Sequence, residues 1–217
     1  MAHSFFRHGE SRSFPDAHAL VDASVPDAAI LILAGAEAGM HIPTDLSPYT
    51  AVLVELGTEC LGVHTGEARG EEGSVVLGFA RFRMGDAAPS DLVELVRQPA
   101  TPEASVTAAR DVLEGAGLQV SVCADFTGRI VDRLLRPYWN AALRRLDEGL
   151  ATAADMDTTL RLGLGYPEGP IELLERTGLA AHHDVTQVLF EQYGEAAYAP
   201  ARRAKVASSR VAKQRAR

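Results

Sequence analysis

The spacing of apolar residues in this chain changes near Phe126, from short runs suited to a sheet to a helical period. Up to that point short β-rich runs are separated by Gly, Pro and Asp: Ala19–Ala23, Ala28–Ala34, Ala51–Leu56, Val75–Phe82, Leu92–Arg97 and Leu118–Ala124. These read as strands. The run at 28–34 is apolar throughout, the pattern of a strand covered on both faces of a sheet. Between the last two runs Pro102–Gly117 reads as a helix, with Thr101 expected as the N-cap and Pro102 at the first helical position. Helix feeding strand is the unit of an α/β sheet.

From Thr127 the spacing becomes helical. Ile130, Val131, Leu134, Leu135, Tyr138, Ala142 and Leu146 recur at three and four residues, with Arg133, Arg136, Arg144 and Arg145 on other faces. Pro137 removes one backbone donor and is expected to kink this helix. Shorter helices are expected around Ala153–Leu162, Ile171–Thr177 and His183–Tyr193.

Charge is distributed unevenly. Seven of the 21 basic residues follow Ala201 with no acid among them; the remaining 14 face all 29 acidic residues, so the body carries about −15. A basic tail of this kind suits RNA, an anionic surface or the acidic body itself, and as a chain terminus it is expected to be disordered. No apolar run approaches the roughly 20 residues that span a bilayer. Two cysteines, Cys60 and Cys123, are too few for a disulfide framework or thiolate metal site, so a reduced, cytoplasmic setting is expected.

Four ordered blocks narrow the reading. Gly128-Arg-Ile-Val-Asp-Arg-Leu-Leu-Arg-Pro-Tyr-Trp-Asn140, Glu148-Gly149-Leu-Ala-Thr152, Ala154-Asp155-Met-Asp157 and Leu162-Gly-Leu-Gly-Tyr-Pro-Glu-Gly-Pro170 resemble successive blocks of the helical C-terminal domain of the 3-hydroxyacyl-CoA dehydrogenases. Upstream, Leu92-Val-Glu-Leu-Val96 and Ala124-Asp125-Phe126 resemble the family's approach to that domain. The resemblance covers about Val75 to Ala199. It implies a degenerate, truncated Rossmann-like α/β part over 1–126, a helical domain over 127–200 and a basic tail over 201–217. That layout resembles the linker and second helical copy found in long dehydrogenases of the family.

The resemblance also exposes losses. In the family a histidine acts as general base, a glutamate orients it and an asparagine helps hold substrate. Imidazole suits the role because it titrates near neutral pH. Here alanine, Ala80, stands at the base position, Glu94 keeps the glutamate, and Asp132 replaces the asparagine. His64 reaches that site only by an unusual rearrangement. The nearest Gly-rich turn, Ala34-Gly35-Ala36-Glu37-Ala38-Gly39, spaces its glycines four apart around an acid that repels a pyrophosphate. The family's closing Gly-rich stretch gives way to the basic tail. The expectation is therefore a chain that binds no cofactor tightly, with Glu94 and Asp132 as a vestigial polar pair. NAD enters only if weak 3-hydroxyacyl-CoA dehydrogenase activity survives. The resemblance implies a homodimer through the helical domain, with a larger dehydrogenase as another possible partner and acyl-CoA as a possible ligand. A nucleic-acid role through the tail is a third reading, with nucleic acid not expected as the main partner.

Three other groups have competing readings. His182-His183-Asp184 suggests a metal, but adjacent helical residues diverge by about 100° and no third ligand is apparent, so polar residues at a helix start are the simpler account. Cys60 and Cys123 read as small buried hydrophobes. Arg133 and Arg136 could meet a CoA phosphate or form internal ion pairs.

Overall fold

A computed structural model of the chain describes residues 1–215. It divides into two compact units: Met1–Arg83 with Pro89–Arg129, and Met84–Ala88 with the residues from Ile130 onward.

The first unit is built on six strands: β1 (Ser4–Arg7), β2 (Ile30–Ala34), β3 (Ala51–Glu55), β4 (Val76–Arg81), β5 (Leu92–Arg97) and β6 (Gln119–Ala124). They lie in the sheet in chain order, parallel except where β4 meets β5. All five residues of β2 and of β3 are buried. Alternation sends Ile30, Ile32 and Leu53 to one core, with Val106, Ala109 and Leu113 packed there. It sends Leu31, Leu33, Val52 and Val54 to another, closed by Leu56 and Leu61. Burial on both faces explains why these strands read as unbroken apolar runs.

Three local features differ from the sequence expectation. Ala19–Asp22 is a short helix, α1, rather than a strand, because the His18 imidazole accepts the Leu20 N–H and caps it. β1 is a strand that sequence reading missed; its four residues carry little pattern, and pairing with β2 specifies it. After α2 (Gly62–Thr65), the helix α3 (Glu103–Gly115) has Pro102, not Thr101, at its N-cap. The Thr101 hydroxyl instead accepts the Gln98 N–H at 3.0 Å.

The second unit holds α4 (Arg129–Asp147, whose first residue belongs to the sheet unit), α5 (Ala153–Leu164), α6 (Pro170–Thr177), α7 (Leu179–Tyr193) and α8 (Arg202–Arg215). α4 runs through Pro137. A glycine- and proline-containing segment, 165–169, connects α5 to α6. The Asp157 carboxylate accepts the Ile171 and Glu172 N–H groups at 2.9 Å each, capping α6. A Cβ on Gly169 would collide with that aspartate, so glycine is required there.

The tail expected to be disordered is helical in its described part. Ala201 and Ala204 are buried, Ala207, Ser208 and Val211 are half-buried, and α8 packs along α7. A stripe of alanine at helical spacing buries little area per residue, so its signal is easily hidden among arginines. Among the described residues no helix is long and apolar enough to cross a membrane.

Candidate functional site

The antiparallel register of β4 and β5 sets Ala80 directly opposite Glu94. Both are buried, at 7% and 3% exposure. Ala80, where the resemblance places a histidine, thus lies beside Glu94 in the sheet. The carboxylate is matched by another cation: Arg129 places Nε 3.4 Å from Glu94 Oε2, with both side chains about 95% buried. Arg129 Nη2 donates to the Gly57 carbonyl at 2.6 Å. Its Nε and Nη1 have no hydrogen-bond partner among the described residues, so the contact with Glu94 is an ion pair without hydrogen-bond geometry.

The backbone at this arginine is unusual. Gly128 and Arg129 both take positive φ, 80° and 47°, a conformation that costs a non-glycine residue roughly 1–2 kcal/mol. Neighbouring contacts hold it. Gly128 N–H donates to the Thr58 carbonyl at 2.9 Å. Just before it, the Asp125 carboxylate accepts the Leu61 and Gly62 N–H groups at 2.6 and 2.8 Å and the Gln98 amide at 3.1 Å. Sequence reading gave Arg129 no role of its own. Its pairing with Glu94, 35 positions away, has no local signal.

Asp132 belongs to the helical unit, whereas Glu94 belongs to the sheet unit. The two expected polar residues are neutralised separately, each by an arginine of its own unit or segment. Asp132 Oδ1 accepts from Arg136 Nε at 2.8 Å, one turn along α4. Arg136 continues to His182 Nδ1 at 3.1 Å, and His182 Nε2 meets Asn140 Oδ1 at 2.9 Å. Asn140 Nδ2 donates to the carbonyls of Ala197 and Tyr198. A guanidinium only donates, so Nδ1 must accept and Nε2 must carry the proton; this assigns one tautomer. Burial, then the charges of Arg136 and His183, lower the His182 pKa to about 3.

This network settles two candidates. Arg136 is 3% exposed and internally committed, and Arg133 lies over the Tyr193 ring at 4.6 Å. The adjacent imidazoles have separate partners, since His183 Nδ1 meets Asp184 at 3.1 Å. No group of three or more His, Cys, Asp or Glu among the described residues could hold a metal ion. Burial, followed by the Glu94 charge, pushes the Cys123 thiol up to about 11, so it is protonated at neutral pH and not a ready nucleophile.

The candidate cofactor turn is occupied by the protein itself. At the carboxyl ends of β1–β3, the Glu55 carboxylate accepts the Gly35 N–H at 2.6 Å, the Ser13 N–H at 2.6 Å and the Ser11 hydroxyl at 2.7 Å. Gly39 does not face a ligand; its Cα lies under the His64 ring, where a Cβ would collide. His64 approaches Glu59 at 3.4 Å. A cavity of about 220 Å³ there is lined by Glu10, Glu55 and Glu59 along with Arg12 and His64. The strand order never reverses, whereas dinucleotides bind where it does. β1 leads into irregular chain and then a four-residue helix, so no long helix N-terminus faces that point. These residues do not fit a pyrophosphate.

Residues 128–216 match the family model described as 3-hydroxyacyl-CoA dehydrogenase, C-terminal domain, which brings the basic tail within the matched region. A 3-hydroxybutyryl-CoA dehydrogenase of Bradyrhizobium diazoefficiens is 37% identical over 110 residues, covering 51% of this chain and 38% of that protein. Human mitochondrial hydroxyacyl-coenzyme A dehydrogenase is 38% identical over 104 residues, covering 48% and 32%. The chain thus spans well under half the length of these curated relatives. Among solved structures, Mycobacterium tuberculosis FadB2 superposes with a TM-score of 0.66 at 27% identity, covering 82% of this chain and 64% of that one. Residues 128–216 thus match the helical C-terminal domain of the 3-hydroxyacyl-CoA dehydrogenases, and the truncated parallel sheet with that helical domain shares its fold with FadB2.

Proposed function

We propose that this protein is a dimerising, acyl-CoA-binding member of the family that performs no hydride transfer of its own. The observation that carries the reading is Ala80 opposite Glu94, with Arg129 in place of an imidazole. Alanine cannot take a hydroxyl proton, and a guanidinium offers donors but no acceptor, so neither can act as the base. The Glu55 carboxylate at the strand ends supports the absence of a tightly bound NAD. Acyl-CoA metabolism is the setting that the match to this family supports. The two free cysteines are compatible with the proposed cytoplasmic location.

The assay is direct. Mixed with NADH and acetoacetyl-CoA, the purified protein is expected to leave NADH absorbance unchanged, while a catalytically intact dehydrogenase of the family consumes it. Loss of a general base typically costs about 100- to 10,000-fold. Turnover that disappears in Glu94→Gln would overturn the proposal and restore the weakly active NAD-dependent alternative.

Dimerisation is supported by α4, where Leu134 is 68% and Ile130 is 37% exposed. Ile130 and Leu134 are one turn apart, so their exposed apolar surface lies on one face of α4, which a second copy could cover. Sedimentation is expected to return twice the 23.2 kDa chain mass, falling to the single-chain value in Leu134→Lys. A monomeric wild-type protein would leave only the larger-dehydrogenase partner.

A further inference from the structure

The concavity beside α8 is the place where this chain gathers positive charge. It holds about 300 Å³ and is lined by Leu179, Arg202, Arg203, Val206, Ala207 and Arg210, with no acid in its wall. Arg202 and Arg203 share one carboxylate, Asp147, at 3.5 and 2.6 Å. Arg210 has no ion-pair partner among the described residues and is exposed. Three guanidinium groups therefore answer to a single acid. Arg203 and Arg210 are seven positions apart, about 10 Å along the helix axis, with Val206 and Ala207 between them.

We infer that this concavity binds a small, multiply charged phosphate ester. Guanidinium forks match phosphate oxygens two at a time and suit phosphate better than a point charge does. Leu179, Val206 and Ala207 offer an apolar patch for the face of an attached base or sugar. An extended polyanion fits less well, because the rest of the chain carries a net charge near −15 and would repel its flanks. A membrane surface also fits less well. Val206 is the large apolar side chain that α8 leaves exposed, whereas interfacial helices insert a broad apolar face.

Two sources share this chemistry: the phosphorylated nucleotide end of a CoA thioester, which rests on the acyl-CoA reading above, and a free pyrophosphate-type anion, which does not. Calorimetric titrations of the full-length protein with adenosine 3′,5′-diphosphate, sodium pyrophosphate and acetoacetyl-CoA separate them. Arg210→Gln is the chief variant; the residue is exposed, so the fold should survive, and circular dichroism checks that it does. Saturable binding of one of the phosphate probes, weakened about tenfold or more by Arg210→Gln and weakened again by added salt, is the expected result. Tighter binding of the nucleotide than of pyrophosphate assigns the CoA source; the reverse order assigns the free anion. No binding of either probe, or equal affinity in the variant, overturns the inference. A single-stranded RNA oligomer that binds more tightly than both probes and depends on Arg210 also overturns it, in favour of a polymer surface. Acetoacetyl-CoA that binds equally well to the variant excludes this site as the place where the CoA nucleotide docks and leaves the acyl-CoA reading intact. Arg210-dependent binding of adenosine 3′,5′-diphosphate without binding of acetoacetyl-CoA supports this site and overturns the acyl-CoA reading.

Discussion

Replacing Arg129 with leucine is expected to cost about 3–5 kcal/mol of stability, because it leaves the Glu94 carboxylate buried without its cation. The opposite single change, Glu94→Leu, is expected to cost a similar amount, since the guanidinium would keep only its bond to the Gly57 carbonyl. Removing both charges together is a different matter. A buried ion pair repays its own desolvation only partly, so Glu94→Leu with Arg129→Leu is expected to recover most of the loss. Urea unfolding of the two single variants and the double variant, followed by circular dichroism, forms the cycle that isolates the pair. Single costs below about 1 kcal/mol, or a double variant whose losses simply add, would mean that Arg129 does not stand in for the missing imidazole.

Acid is expected to weaken the helical unit through His182. Its folded-state pKa is lowered to about 3, chiefly by burial and next by Arg136, from an ordinary value of 6.5. The unfolded chain therefore takes up the proton first. The contribution is fully present above pH 6.5 and declines as the pH falls, by about 1.4 kcal/mol per pH unit, until it is spent near pH 3. The whole window amounts to roughly 5 kcal/mol, a large share of a domain's stability. Trp139 sits 6.1 Å from the His182 ring and gives a local fluorescence signal. The checking experiment compares the pH dependence of unfolding in wild type and His182→Gln between pH 6 and 4. The variant should be less stable at neutral pH and lose stability less steeply, by one proton. Equal slopes in the two proteins would exclude His182 as the group responsible.

Much of the architecture was legible before any coordinates. Leu92–Arg97 was read as a strand with the bounds it has in the structure, and the apolar run at 28–34 contains β2. The three- and four-residue spacing after Thr127 marked α4, and the helix expected at Ile171–Thr177 is α6, which begins one residue earlier at Pro170. These readings succeeded because period, proline geometry and burial on both faces are local properties of a peptide, written in consecutive residues. The likeness of the blocks between Gly128 and Pro170 to one family, and the alanine at position 80, were also open to a reader of the sequence.

What the tertiary structure decided was partnership. No spacing rule joins Glu94 to Arg129, Asn140 to His182, or Glu55 to the Gly35 and Ser13 amides. Each pair is brought together by strands and helices far apart in the chain. The same holds for elements with weak local preference: β1 exists because β2 lies beside it, and α8 is helical with its alanines packed along α7. A sequence determines which faces must be buried, because hydrophobic period follows from backbone geometry. Which charge answers which buried charge is settled only when desolvation forces a choice among the groups the fold has brought within reach.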